Sequence, residues 1–173
     1  MNHIHEIQIT KVINKYGLAM DARRWDVFDE IFVSDATIDY MGRLWPNLAA
    51  FKSDFERDHR RFDATQHAMM GHLVEVDGAR AAAFTYCSWR LIGRGIEGGD
   101  FLEGTAWYDD ALILTDEGWR IRKRRCRILW ASGNPLVVGA SEPMAWHGLR
   151  QEAAEGKVGY LRAIDARSAS RGL

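Results

Sequence analysis

The chain has 173 residues, 23 basic against 24 acidic side chains, and 47% hydrophobic residues. That length predicts one self-sufficient domain, and the near-neutral charge argues against a nucleic-acid partner. No apolar run approaches the roughly 20 residues of a membrane span, and the opening MNHIHEIQIT lacks the order of a secretory signal, so a cytoplasmic, non-membrane protein is expected.

From Ile9, apolar residues recur at Val12, Ile13, Tyr16, Ala19 and Met20, the spacing of one buried helix face. A second helical stripe follows at Trp25, Phe28 and Phe32 and ends at Ser34-Asp35. Residues 37 to 40 alternate as a short strand that stops at Gly42. Pro46 and Asn47 mark the start of a third helix, with Leu48, Phe51 and Phe55 as its apolar face. The remainder is strand-rich. Residues 67 to 76 form a strand that turns at Asp77-Gly78, a two-residue signal of the type I′ kind. A second strand runs from 79 to 92, and a loop with Gly93, Gly95, Gly98 and Gly99 follows it. The third runs from 105 to 114, turns at Asp116-Glu117-Gly118, and leads to the fourth, 119 to 131. Helices first, then long strands, predict an α+β fold in which three helices pack on a curved, mostly antiparallel sheet. Such a cone has a single open mouth and encloses one small-molecule pocket. The seven Trp, seven Phe and five Tyr need such a core or an aromatic-lined cavity.

Several side chains carry two readings. GRGIEG at 93–98 has the spacing of a dinucleotide-binding fingerprint, but a strand follows where a helix must hold the pyrophosphate, so it reads as a hairpin loop. Six cations fall between Arg120 and Arg127. Strand alternation puts Arg120, Arg122 and Arg124 on one face with Cys126, Ile128 and Trp130, and Lys123, Arg125 and Arg127 on the other with Trp119 and Ile121. An inward arginine has either a pocket role or a structural ion pair. His67 and His72 are five apart, which sends them to opposite faces of a regular strand, so at most one lines the cone. Asp21 lies between two helical stripes, where its plain role is an N-cap accepting from the backbone of Arg23 or Arg24. No metal-ligand cluster, serine-nucleophile motif or P-loop occurs, and Cys87 has no basic neighbour in sequence to activate it.

The order KYGLAMDARRWDVFDEIFVSDATIDYMG, TQHAMMGHLVEVDG and AWYDDALILTDEGWRIRKRRCRILW resembles the SnoaL-like branch of the ketosteroid-isomerase-like, nuclear-transport-factor-2-like cone families. The spacing of the helix Asp, the strand His and the final W-x-I-x-x-R is most similar to scytalone dehydratase, hexachlorocyclohexane dehydrochlorinase and bile-acid dehydratase. The resemblance covers residues 5 to about 133. It implies a domain over 1–133 and an extension over 134–173, with Trp146 and Tyr160, that caps the pocket or meets a second subunit and is disordered at its end.

Carried over by position, the resemblance implies a catalytic Asp21–His67 dyad with Arg124 as the cavity arginine. Tyr16 and Tyr40 fall where the dehydratases place hydroxyl donors, and with Trp89 and Tyr108 they are the expected substrate contacts. Asp21 would orient the His67 imidazole, the free ring nitrogen would remove a proton, and Arg124 with a tyrosine would stabilise the developing charge. The implied function is a lyase without metal or organic cofactor, acting on a hydrophobic, aromatic small molecule by loss of water, HX or formaldehyde. An isomerase or cyclase on the same dyad, or a binding or structural subunit, is the alternative. Apolar residues on both faces of the strands call for a cover, so a homo-oligomer is expected, a trimer before a dimer.

Overall fold

The computed structural model describes residues 2–142 and 148–171; Trp146 and the chain end for which disorder is expected lie outside the described residues. Helix α1 (Asn2–Asp21) buries Ile9, Ile13, Tyr16 and Met20 along one face. It stops at Arg23, whose φ of 57° is left-handed. Hydrogen bonds from the Arg23 guanidinium to the carbonyls of Met20 and Phe62 and to Thr65 Oγ1 hold that unusual conformation.

The second helical stripe is only a 3₁₀ turn, Trp25–Glu30, with no side-chain cap at Arg24. Phe32 and the Ser34-Asp35 pair belong instead to strand β1 (Phe32–Tyr40). An uncapped six-residue segment followed by Val33, Thr37 and Ile38 yields to the extended form. Met41 and Gly42, both with positive φ, turn the chain into a short strand β2 (Arg43–Trp45). Helix α2 (Leu48–His59) starts where Asn47 Oδ1 accepts the Ala50 N–H at 2.9 Å.

Strands β3 (Ala64–Asp77), β4 (Arg80–Ile92), β5 (Phe101–Thr115) and β6 (Gly118–Gly133) follow. The β3–β4 turn occupies Gly78 and Ala79, one residue later than the sequence pattern suggests. Only Gly78 has positive φ, so it is not a type I′ turn, which needs two. The glycine-rich loop is pinned by Asn134, whose Nδ2 donates to the carbonyls of Glu97 and Gly99. The six strands order as β2-β1-β6-β5-β4-β3, with β1 and β6 parallel and every other pair antiparallel. This is an α+β fold on a mixed, open sheet whose edges are β2 and β3.

Three slips in strand pairing overturn face assignments made from alternation. In β6, Ile121 pairs with Leu112 and Lys123 with Ala111, which leaves Arg122 as an extra residue. Trp119 and Ile121 therefore share the inner face with Cys126 and Ile128, all in one core, and Arg124 is buried beside them. A second slip at Leu129 sends Trp130 outward, 43% exposed. In β3, Gly71 and His72 together oppose Thr85, with Gly71 at a φ of 63°. This puts His72 on the same face as His67, not the opposite one, where it bonds Thr85 and the α1 residue Asn14.

Past Val138, which lines the inner cavity, the described part of the C-terminal extension packs on the outer face of the chain's own sheet. After a 3₁₀ turn at the mouth (Pro135–Val138), helices α3 (Leu149–Ala154) and α4 (Gly159–Arg171) follow. Val158 and Tyr160 cover Phe84 and Trp107, and the outward Arg125 and Arg127 pair with Asp39 and Glu152. A cavity opens on each face, where one was expected.

Candidate active site

Glycine at position 17 lets α1 lie directly on β3, because a Cβ there would stand 2.9 Å from the His67 carbonyl oxygen. One turn later the same helix face presents Asp21, and the expected cap is not made. Asp21 Oδ1 lies 2.7 Å from His67 Nδ1 and accepts the Thr65 hydroxyl at 2.9 Å, while Oδ2 accepts the His67 backbone N–H at 2.8 Å. Burial acts to raise the carboxyl's pKa, but the His67 and Thr65 hydrogen bonds outweigh it and hold the group below its ordinary value. An ionised carboxylate only accepts, so His67 Nδ1 carries the proton and, in the neutral ring, Nε2 the lone pair. Nε2 has no hydrogen-bond partner among the described residues, and His67 lines the inner cavity.

That cavity holds about 360 Å³. Trp89, Phe55, Tyr40 and Tyr108 give it aromatic walls, and Arg43, Asp58 and Arg61 stand at its mouth. Trp89 fits because its cross-strand neighbour is Gly104, where a Cβ would come within 2.7 Å of the indole. Of the residues expected from the sequence, His67, Tyr40, Tyr108 and Trp89 line the cavity, and Asp21 stands behind His67.

Tyr16 and Arg124 do not line it. Tyr16 is wholly buried and its hydroxyl makes a very short contact with the Tyr40 hydroxyl. Tyr40 in turn donates to Tyr108 at 3.3 Å. Because the Tyr40 proton is committed to Tyr108, Tyr16 must be the donor in the first contact, and the chain of phenols runs Tyr16 to Tyr40 to Tyr108. Burial lifts all three well above the ordinary phenol range, so each keeps its proton. The Arg124 side chain is 0% exposed and forms a bidentate pair with Asp110 at 2.8 and 2.6 Å. Its guanidinium lies 4.1 Å from the Tyr16 ring centroid and 4.5 Å from that of Tyr108. The structural ion pair is thus the reading that the geometry favours, with the arginine touching the site only through tyrosine rings. Cys126 also reaches the cavity, but burial pushes its thiol up, and the Cys87 thiol up to about 12, which leaves both poor nucleophiles.

His59, which also lines the cavity, escaped the sequence reading. His59 completes the stripe of Phe51 and Phe55 at the next four-residue step of α2, so extending that stripe by one turn is enough to find it. It is 7% exposed, its Nδ1 lies 2.7 Å from the Phe55 carbonyl, and burial pushes its pKa down to about 4. Thr65 was missed too; it faces the same way as His67 two residues on, and its hydroxyl donates a hydrogen bond to Asp21. Among the described residues, no three His, Cys, Asp or Glu side chains are placed to hold a metal ion.

A family model described as a SnoaL-like domain matches residues 5–125. The chain is 30% identical over 120 residues to the uncharacterized protein Rv2910c of Mycobacterium tuberculosis, covering 68% of this chain and 81% of the relative. Its structure is similar to that of Kfla4162 from Kribbella flavida, with a TM-score of 0.76 and 20% identity over 81% of this chain and all (100%) of the other. A provisionally assigned scytalone dehydratase from Novosphingobium aromaticivorans superposes with a TM-score of 0.72 and 17% identity, over 85% of this chain and 97% of the other. At these identities the two structures show a shared fold.

Proposed function

The chain belongs to the SnoaL-like domain family, and on that premise we propose that it is a cofactor-independent lyase whose base is His67, oriented by Asp21. The cone fold is compatible with a small-molecule enzyme of the isomerase or dehydratase type. The observation that carries the narrower reading is the 2.7 Å Asp21–His67 contact, with Nε2 left over in an aromatic cavity. In this mechanism Nε2 takes a proton from a substrate carbon or hydroxyl, and the ionised Asp21 stabilises the imidazolium that forms. The electron pair of the broken bond becomes a C=C or C=O double bond as the leaving group departs. Tyr108, the cavity end of the phenol chain, donates to the oxygen or leaving group on which charge develops. Arg124 acts through Tyr16 and Tyr108 as a positioning residue, and Tyr40 and Trp89 hold the aromatic frame of the substrate. In an elimination hydroxide or halide leaves with its bonding pair and becomes water or HX on taking a proton; in a retro-aldol step the O–H pair becomes the C=O of formaldehyde, and the C–C pair left on the substrate carbon takes the proton back from His67.

The test is a mass-spectrometric turnover screen in heavy water with aromatic alcohols, diaryl diols, halocarbons and steroid ketones. Mass loss with the wild type and none with His67→Ala is the expected result. Deuterium uptake without mass loss would make the protein an isomerase on the same dyad. Equal inertness of both proteins, with some compounds still bound, would replace the enzyme by a binding role. A homo-oligomer belongs to the same proposal, because Leu73, Met70 and Tyr86 stay 50%, 44% and 38% exposed on the outer face. Sedimentation velocity separates a trimer, a dimer and a monomer.

A further inference from the structure

The mechanism above uses one imidazole, but the cavity holds two. His59 Nδ1 faces the Phe55 carbonyl, which can only accept, so Nδ1 carries the proton and Nε2 the lone pair. The ring cannot turn over cheaply. It stacks on Phe55 at 5.3 Å between centroids and meets Trp25 and Phe62 edge-on, at 5.3 and 5.4 Å. Its Nε2 has no hydrogen-bond partner among the described residues and keeps some exposure, and His59 is one of the residues that line the cavity. Leaving that lone pair against an apolar ligand carries a desolvation penalty; a ligand with a donor group removes it.

We infer that His59 is a specificity residue whose Nε2 accepts a hydrogen bond from a hydroxyl of the substrate, so that the cavity selects a phenol or aromatic alcohol over the matching ether. The inference rests on the cavity's being the substrate site of the lyase proposed above. The division of labour follows from the partners: His67 leans on a carboxylate and can take a full proton, whereas His59 leans on a neutral carbonyl and stays an acceptor. Burial, with Arg23 and His67 nearby, favours its neutral ring, against the opposing pull of the Phe55 carbonyl and Asp58.

The experiment measures binding without turnover, using 4-ethylphenol and 4-ethylanisole as probes and calorimetric titration of wild type, His59→Phe and His59→Gln. Wild type should prefer the phenol by about tenfold, the effect of one unsatisfied neutral acceptor. His59→Phe should bind both probes alike, and His59→Gln, which keeps an acceptor, should recover part of the preference. Equal binding by the wild type, or a preference that survives in His59→Phe, overturns the inference. Nitrogen-15 NMR of the wild type gives a check that needs no variant. The His59 ring should be the Nδ1–H form, with an Nε2 signal that moves on adding the phenol and not the ether; an Nε2–H form would sink the idea. Loss of catalysis with the preference intact would count against the lyase reading alone.

Discussion

The two faces of the sheet each carry a cavity, and they differ in what their polar groups have left to give. On the outer face about 520 Å³ lies between the sheet and the C-terminal extension, floored by Ala82 and Ala111 and edged by Lys123, Lys157 and Arg162. Its buried charges are already engaged. Asp39 holds Arg127, Glu152 holds Arg125, and Asp109 accepts the backbone N–H groups of Gly159 and Tyr160. On the inner face a smaller cavity, about 360 Å³, has few charges, yet His67 and His59 both line it, each spending Nδ1 on the protein and leaving Nε2 without a hydrogen-bond partner among the described residues. Volume therefore does not identify the candidate site here; uncommitted hydrogen-bonding capacity inside an apolar wall does.

That contrast can be broken most sharply at His67. His67→Ala should lower kcat/KM on any substrate found by the screen by about 10²–10⁴-fold, the usual share of a general base, while Lys123→Ala at the outer cavity leaves kcat/KM unchanged. Comparable losses from both variants would end the distinction between the faces. Next in size is the ion pair beneath the tyrosines. Asp110→Ala leaves the wholly buried Arg124 without its counter-charge and should cost about 3–5 kcal/mol in urea unfolding.

A pH effect of similar scale belongs to His59. Its pKa falls from an ordinary 6.5 to about 4 in the folded chain. Between those values the unfolded chain binds a proton that the folded chain refuses, so stability rises with pH there and is lost as the pH drops from 6.5 toward 4. The loss should approach about 3 kcal/mol, and denaturation midpoints across that range should flatten in His59→Phe. The smallest effect sharpens the outer side of the comparison. Val158→Ala removes buried contact with Phe84 and Trp107 and should cost about 2 kcal/mol by thermal denaturation, with kcat/KM unaltered.

How far the sequence reaches differs between elements. The α1 stripe, the Asn47 helix start and the turns at Gly78 and Gly118 were legible, because each rests on residues within a few positions of one another. Strand β2 was not, since three residues carry no period. In β6 the grouping of Trp119 and Ile121 with Arg125 and Arg127, and of Trp130 with Arg124, was misread for a different reason: a bulge depends on how two strands pair, and no single strand announces it. The same holds at Gly71, which brought His72 inward.

In the site, the residues by themselves gave types and not partners; the family resemblance alone implied the Asp21–His67 pair. Asp21 could cap a helix or hold His67, 46 residues away, and only the packing of α1 on β3 at Gly17 decides for the second. Arg124 could face the pocket or pair with a carboxylate, and the β5–β6 register that sets it opposite Asp110 decides for the pair. The sequence by itself determined helix α1, the start of α2 and the four long strands β3 to β6, because local periodicity and turn residues encode them. The tertiary structure alone decided which buried polar groups meet, because that depends on strand register and helix docking, which are set by the whole core at once.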